Sequence, residues 1–221
     1  MPKLLTPSQV DGYADDGFVF PIDVLTPEET RAFRGELEAW ETRQGKAIDF
    51  PEKSKSYLLF NWADQLVHHP KILDAVEDVI GPDILVYHST LFVKEAHTPA
   101  YVRWHQDGTY FHLSPHLHVT AWVALSDASV EAGCMQVLPG SHQWGQFEHD
   151  DQPDPMNMIK RGQGISGRFD DARGTFMPIK PGQMSLHHTD LVHASGGNQT
   201  NDRRLGYAIS YIPAHVKPTG A

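Results

Sequence analysis

Apolar residues recur at two different periods along this chain, and the change of period falls near residue 82. Ahead of it, LTPEETRAFRGELEAWETRQG places Phe33, Leu37 and Trp40 at helical spacing, so one helix face packs on something larger. Thr26 is the predicted N-cap, Pro27 takes the first helical position, and Glu29 lies three residues after the cap, which is a capping-box start. A second helix is predicted from Pro70 to Ile80, stopped by Gly81-Pro82.

From Ile84 onward the period is two. ILVYHSTLFVK, HLHVTAWVAL, CMQVLP, QMSLHH and RRLGYAISYI are the predicted strands. Helices followed by strands imply an α+β chain or a helix-buttressed β-sandwich. In HLHVTAWVAL, Leu117, Val119, Ala121, Val123 and Leu125 share one face and predict core, whereas His118, Thr120, Trp122 and Ala124 share the other and predict the lining of a site. RRLGYAISYI repeats the pattern: Leu205, Tyr207, Ile209 and Tyr211 lie opposite Arg204, Gly206, Ala208 and Ser210, so Arg204 points where small residues leave room. The segment from Ser141 to Gly182, rich in Gly, Asp and Pro, predicts a lid, a binding loop or disorder. No internal repeat is present.

Composition narrows the classes. At 221 residues, with 40% hydrophobic and 21% charged residues, the chain predicts one globular domain over residues 1–221, helical to about 82 and β from about 83 to 213. A net charge of −10 without a basic run disfavours nucleic acid or an anionic membrane as partner. Neither a signal-like apolar segment nor a membrane span is predicted. The single cysteine, Cys134, forms no internal disulfide and fits a reducing, cytoplasmic setting.

Candidate chemistry concentrates in YVRWHQDGTYFHL and HHTDLVHASGGN. His-x-Asp is a short motif, found at His105-Asp107, His149-Asp151 and His188-Asp190. The second lies in the acidic stretch EHDDQPD and predicts a solvated turn. On a strand, residues i and i+2 point the same way, so His105 and Asp107 could reach one metal; the plainer alternative is a histidine hydrogen-bonded to a neighbouring carboxylate. Two histidines and a carboxylate on one side of a metal, with the opposite positions open, are the ligand pattern of non-haem iron(II) oxygenases.

Over most of its length the chain resembles the phytanoyl-CoA dioxygenase (PhyH-like) family of Fe(II)- and 2-oxoglutarate-dependent oxygenases. The resemblance lies in the helical N-terminal portion, WHQDG, GCMQVLPGSH, LVHASGGN and NDRRLGYAISY. It implies a double-stranded β-helix (jelly-roll, cupin-like) core buttressed by N-terminal helices. It further implies that His105, Asp107 and His193 bind Fe(II), and that Arg204, aided by Ser195, holds the distal carboxylate of 2-oxoglutarate. Trp122 falls where the family often has an aromatic near the cofactor. The implied activity is hydroxylation, or a related oxidation, of an unactivated C–H bond in a small organic substrate, with O2 consumed and succinate and CO2 released. Related halogenases carry a small residue in place of the carboxylate, so Asp107 favours hydroxylation or desaturation.

Further expectations concern the surroundings. Arg203 is expected at a solvated strand end, opposite Arg204. His88, Thr90 and His118 are candidates for the cavity lining. His187, His188 and Asp190 stand beside His193, and a zinc hydrolase using His188, Asp190 and His193 is the main rival reading; a noncatalytic ligand-binding β-sandwich is another. The chain departs from the family in ending at VKPTGA soon after the arginine strand, where members commonly continue, which leaves any C-terminal pocket wall in doubt.

Overall fold

In the computed structural model, which describes residues 1–159, 163–165, 169 and 171–219, two reciprocal caps start the helical part. The Thr6 hydroxyl accepts from Gln9 N–H and the Gln9 side chain accepts from Thr6 N–H at the head of α1 (Pro7–Asp16). Thr26 and Glu29 do the same for α2 (Pro27–Gln44), as the sequence predicts. Between them the chain is not helical: β1 (Phe18–Asp23) forms an edge strand. Pro21 lacks an N–H, which an edge tolerates and which obscures FVFPID as a strand in the sequence. α3 (Asn61–Val67) and α4 (Pro70–Ile80) follow, α4 burying Ile72, Ala75 and Val76.

The rest of the chain is mainly β. In order come β2 (Ile84–Lys94), β3 (Val102–His105), the two-residue β4 (Leu113–Ser114), β5 (Val119–Ala124) and β6 (Met135–Val137). The two-residue β7 (Asp150–Asp151) and β8 (Gln163–Gly164) precede β9 (Thr175–Met177), β10 (Gln183–His188), β11 (His193–Ser195), β12 (Arg204–Pro213) and β13 (Lys217–Pro218). A five-stranded sheet runs β1-β10-β5-β12-β2 and a four-stranded sheet β3-β11-β6-β9; every pairing within them is antiparallel. This is the double-stranded β-helix arrangement, with helices on its outer face.

Register determines which side chains meet. Across β2, β12, β5 and β10, Tyr207 lies opposite Leu91 and Val123, and Ile209 opposite Ser89 and Ala121. That face joins one apolar cluster with Leu37, Leu66, Ile72 and Val76 from the helices. The alternate face turns toward the four-stranded sheet and carries Arg204 opposite Lys94, Ala208 opposite Thr90 and Trp122, and Thr120 opposite Ser210 and His187. A cavity lies between the two sheets.

Two expectations change. Leu117, assigned to the core face, is 40% exposed because pairing begins only at Val119, after the turn at Pro115. The segment 141–182 contains a 3-10 turn at Ser141–Trp144 and strands β7, β8 and β9, so it is built around short ladders; part of it lies outside the described residues.

Candidate metal centre and cavity

His105 ends β3 and sits directly opposite His193 of β11. The two rings lie 4.1 Å apart between centroids. Each Nδ1 is 2.9 Å from the backbone carbonyl two residues back, Arg103 for His105 and Leu191 for His193. An Nδ1–H donated there fixes the tautomer and leaves each Nε2 lone pair facing the cavity. Asp107 is not on the strand with His105, contrary to the alternation argument. Its φ of −61° and ψ of −33° belong to the cap of the single-turn α5 (Gly108–Phe111), and this turn swings the carboxylate back over the strand end. Asp107 Oδ1 then lies 3.5 Å from His105 Nε2 and 3.8 Å from His193 Nε2, while Oδ2 accepts from the Thr120 hydroxyl at 3.0 Å. Gly108 makes that turn possible: a Cβ there would stand 2.5 Å from Asp190 Oδ1.

One donor atom from each of His105, Asp107 and His193 lies within 4.8 Å of the others, the only such group among the described residues. Burial opposes ionisation of Asp107, but the surrounding imidazoles, His105 and His187 first and then His193, hold its carboxyl well below the usual range. Burial, then the neighbouring His105, pushes His193 well below an ordinary imidazole. An ionised Asp107 and a neutral His193 are the states in which these groups bind a divalent first-row metal.

The other His-x-Asp pairs do not join this group. Asp190 N–H donates to His188 Nδ1 at 3.1 Å, and the Asp190 carboxylate pairs with His116 Nδ1 at 2.9 Å, so the hydrolase-type set does not assemble on His193. His187 lines the cavity, its Nε2 3.5 Å from Asp107 Oδ2. In the presumed solvated turn, Asp151 is exposed but His149 is half-buried. Its Nε2 accepts from the N–H of Gln106 at 2.9 Å, and its Nδ1 lies 3.0 Å from the Phe147 carbonyl. The Gln106 amide donates to the Gly145 and Asp190 carbonyls. The residue between His105 and Asp107 is thus clamped from two loops, a role that loop-borne residues announce by no periodicity.

At the far end of the cavity, Arg204 is 3% exposed and makes no ion pair with a carboxylate among the described residues. Its Nη1 donates to the Gly133 carbonyl at 3.2 Å, its Nε has no hydrogen-bond partner, and its guanidinium carbon lies 5.0 Å from the Trp122 ring centroid. Trp122 occupies the space above Gly206, where a Cβ would come within 1.8 Å of the indole. Burial lowers Arg204 to about 10, which leaves it charged at neutral pH. A buried cation with an open donor is a site for an anion. Ser195 lines the same narrow space, of about 60 Å³.

Phe92, His105, Asp107, Thr120 and Ala208 line both this space and a larger chamber of about 480 Å³. Phe50, Tyr110, Phe111, Met158 and Ile159 give the chamber apolar walls, with His88, Thr90, Ser210 and Lys53, the last paired with Asp49 at 3.0 Å, among the polar groups. His88 Nε2 lies 2.9 Å from Thr90 Oγ1, and burial lowers its pKa. His118 does not line the cavity: it is wholly buried against the Phe111 ring at 4.6 Å, and burial drops it to about 3. Arg203 is not at a solvated strand end either. It bridges Glu41 of α2 and Glu95, the latter at 2.5 Å, and is 15% exposed.

Fold and donors together define a double-stranded β-helix protein with a two-histidine, one-carboxylate centre. The phytanoyl-CoA dioxygenase (PhyH) family model matches residues 13–206, and the chain belongs to that family. It is 29% identical over 167 residues to a probable alpha-ketoglutarate-dependent hypophosphite dioxygenase of Stutzerimonas stutzeri, covering 73% of this chain and 57% of that protein. It is 28% identical over 200 residues to the peroxisomal phytanoyl-CoA dioxygenase of Homo sapiens, covering 89% and 57%. The chain therefore spans a little over half the length of these curated relatives. Among solved structures, the apo form of the non-heme monooxygenase ThoJ is similar with a TM-score of 0.84 at 35% identity, covering 96% of this chain and 80% of that one.

Proposed function

We propose that this protein is an Fe(II)- and 2-oxoglutarate-dependent oxygenase that hydroxylates an unactivated C–H bond of a small organic substrate. The observation that carries the reading is the pairing of three convergent metal donors with a buried, carboxylate-free arginine across one narrow cavity. His105, Asp107 and His193 would hold the iron, and Arg204, Ser195 and Trp122 would hold the distal end of 2-oxoglutarate. Bound together, metal and cosubstrate supply the oxidation, drawing on O2 and releasing succinate and CO2. The protein's own part is to keep His193 neutral and Asp107 ionised, to place the substrate in the chamber beside Asp107, and to exclude water from it.

The chamber's size lies within the range of about 300–1,000 Å³ that encloses drug-sized ligands. Its aromatic and aliphatic walls with the neutral His88–Thr90 pair favour a largely apolar molecule bearing a hydrogen-bonding group. No helix among the described residues is long and apolar enough to cross a membrane, and Cys134 is a free, buried thiol; a cytoplasmic enzyme accords with both. The test is to load the protein anaerobically with Fe(II) and 2-oxoglutarate, watch for the visible charge-transfer band of the chelate, then admit O2 and measure succinate while screening organic compounds. Succinate formation that requires Fe(II), 2-oxoglutarate and O2, and rises with one compound class, supports the reading. Turnover with zinc and no 2-oxoglutarate overturns it.

A further inference from the structure

Lys94 is the last residue of β2, directly opposite Arg204 on β12, and is wholly buried. Its Nζ lies 2.7 Å from Ser195 Oγ and donates to the carbonyls of Gly196 and, at 3.5 Å, Gly133. The Gly133 carbonyl also accepts from Arg204 Nη1. Two basic side chains therefore meet at one carbonyl without a carboxylate between them. Lys94 does not line the cavity; Ser195 and Arg204 do.

The hydrogen count at Nζ makes the arrangement conditional. A neutral amine has two N–H groups, enough for the two carbonyls, and a lone pair that would accept a hydrogen bond from the Ser195 hydroxyl. An ammonium has three N–H groups, so Ser195 Oγ must accept, and its own proton is released toward the cavity. Only in the second state can Ser195 donate to a carboxylate held by Arg204. We propose that Lys94 is a positioning residue for the cosubstrate: it takes a proton from solvent as the dicarboxylate binds, thereby aiming the Ser195 hydroxyl into the cavity and adding a second positive charge behind Arg204. This rests on the reading that 2-oxoglutarate occupies the Arg204 end.

Burial, with the Arg204 charge second, pushes the free Lys94 down to about 6, so the neutral amine prevails above that pH until an anion arrives. The titratable and charged groups facing it are Arg204 from β12 and the Cys134 thiol from the segment leading into β6, itself raised by burial. From β11 it meets Ser195, which does not titrate in this range.

The test uses Fe(II)-loaded protein under argon, titrated calorimetrically with 2-oxoglutarate in buffers of different ionisation enthalpy. Both carboxylates of the ligand are already ionised above pH 6, so proton uptake reports the protein. The wild-type protein is expected to take up close to one proton at pH 8, and its affinity to fall by up to about 30-fold between pH 6.5 and 8. Lys94→Met is expected to take up none, to show a flat pH dependence, and to bind about tenfold or more weakly at pH 6.5. Ser195→Ala, a smaller change at the same contact, should weaken binding while keeping the uptake. Absence of proton uptake in the wild-type protein overturns the proposal even where Lys94→Met fails to fold, and so does wild-type affinity and pH slope in Lys94→Met. Failure of the underlying reading shows separately, as no 2-oxoglutarate binding heat in metal-loaded wild-type protein, and removes both.

Discussion

The two ends of the cavity are made from different material. The narrow end is strand-borne: His105 and His193 face each other across β3 and β11, and Arg204, Trp122 and Ala208 follow the register of β12 and β5. The chamber shares the strands, with His88 and Thr90 on β2 and Ser210 on β12, but adds walls from outside them: Phe50 between α2 and α3, Phe111 at the end of α5, and Met158 and Ile159 in the long segment after Trp144. Strands fix the direction of every second side chain, and placing reactive groups to within about half an ångström needs that rigidity. Loops tolerate replacement of their side chains without moving the scaffold. The proposed metal and cosubstrate residues are thus mostly strand-held, whereas the outer chamber wall is loop-borne, and among the described residues the two spaces share Phe92, His105, Asp107, Thr120 and Ala208.

The largest expected effect breaks that comparison at the narrow end. Asp107→Ala removes the only anionic donor of the metal group, and Fe(II) affinity should fall by more than the roughly 10–100-fold that loss of an outer hydrogen-bonding partner alone produces. Succinate formation should vanish. Anaerobic Fe(II) titration and succinate assay of the variant check this; near-normal iron binding would show that another group holds the metal. Next in size, Arg204→Met should leave the distal carboxylate without its charge partner, at about 2–5 kcal/mol, or about 30-fold to several thousand-fold in 2-oxoglutarate affinity. Iron binding should survive, so titrating the iron-loaded variant with 2-oxoglutarate separates the two halves of the narrow end.

Legibility in the sequence followed the same division. Alternation in RRLGYAISYI and in the Val119–Ala124 part of HLHVTAWVAL placed Arg204, Trp122, Tyr207 and Ile209 on the faces the sheet gives them, because both are long inner strands with one face against the helices. The same argument failed where chain direction changes. Asp107 reaches the metal group from a helical turn, Leu117 lies before its strand begins, and His118, though adjacent to a lining strand, is capped by Phe111. Gln106 left no signal, and His149 showed only a His-x-Asp motif read as a solvated turn, since their partners are backbone groups in distant loops and such contacts leave no period. The family resemblance brought together the residues that periodicity alone could not, Asp107 with His193 above all.

Gly206→Ala sharpens the comparison with a smaller effect. The added methyl would overlap the Trp122 indole, and the ring must leave its place beside Arg204 or the strands must part. Overpacking of this kind costs about 1–3 kcal/mol of stability. The measurable consequence is a lowered thermal midpoint together with weaker 2-oxoglutarate binding, whereas Fe(II) affinity stays near that of the wild type. A stable variant with normal cosubstrate affinity would mean that Trp122 contributes nothing to holding Arg204.

The smallest effect belongs to the neighbouring arginine, and it tests the opposite face. Arg203 points away from the cavity and joins Glu41 of α2 to Glu95, with Glu41 only 10% exposed. Burial opposes ionisation of Glu41, but the Arg203 hydrogen bond and the Ile48 N–H outweigh it and hold the carboxyl below its usual range. Arg203→Met leaves that carboxylate with the Ile48 N–H at 2.9 Å and without its cation. A partly buried pair of this kind stands between the exposed and fully buried limits, so a loss of about 1–2 kcal/mol is expected, or roughly 2–8 °C in thermal midpoint for a chain of this size. Its pH dependence has a definite sign. A carboxyl whose pKa is lowered on folding stabilises the protein above the unfolded-state value and loses that contribution as pH falls through the folded one, so the gap between wild type and variant should close in acid. Because the side chain is on the helix-facing surface of the sheet, 2-oxoglutarate affinity should change by less than about twofold. Thermal melts from pH 3 to 7, paired with anaerobic 2-oxoglutarate titration, decide the matter. A large loss of cosubstrate binding in Arg203→Met would show that the two faces of β12 are coupled, and that the separation between the layers of this molecule does not hold at Arg204.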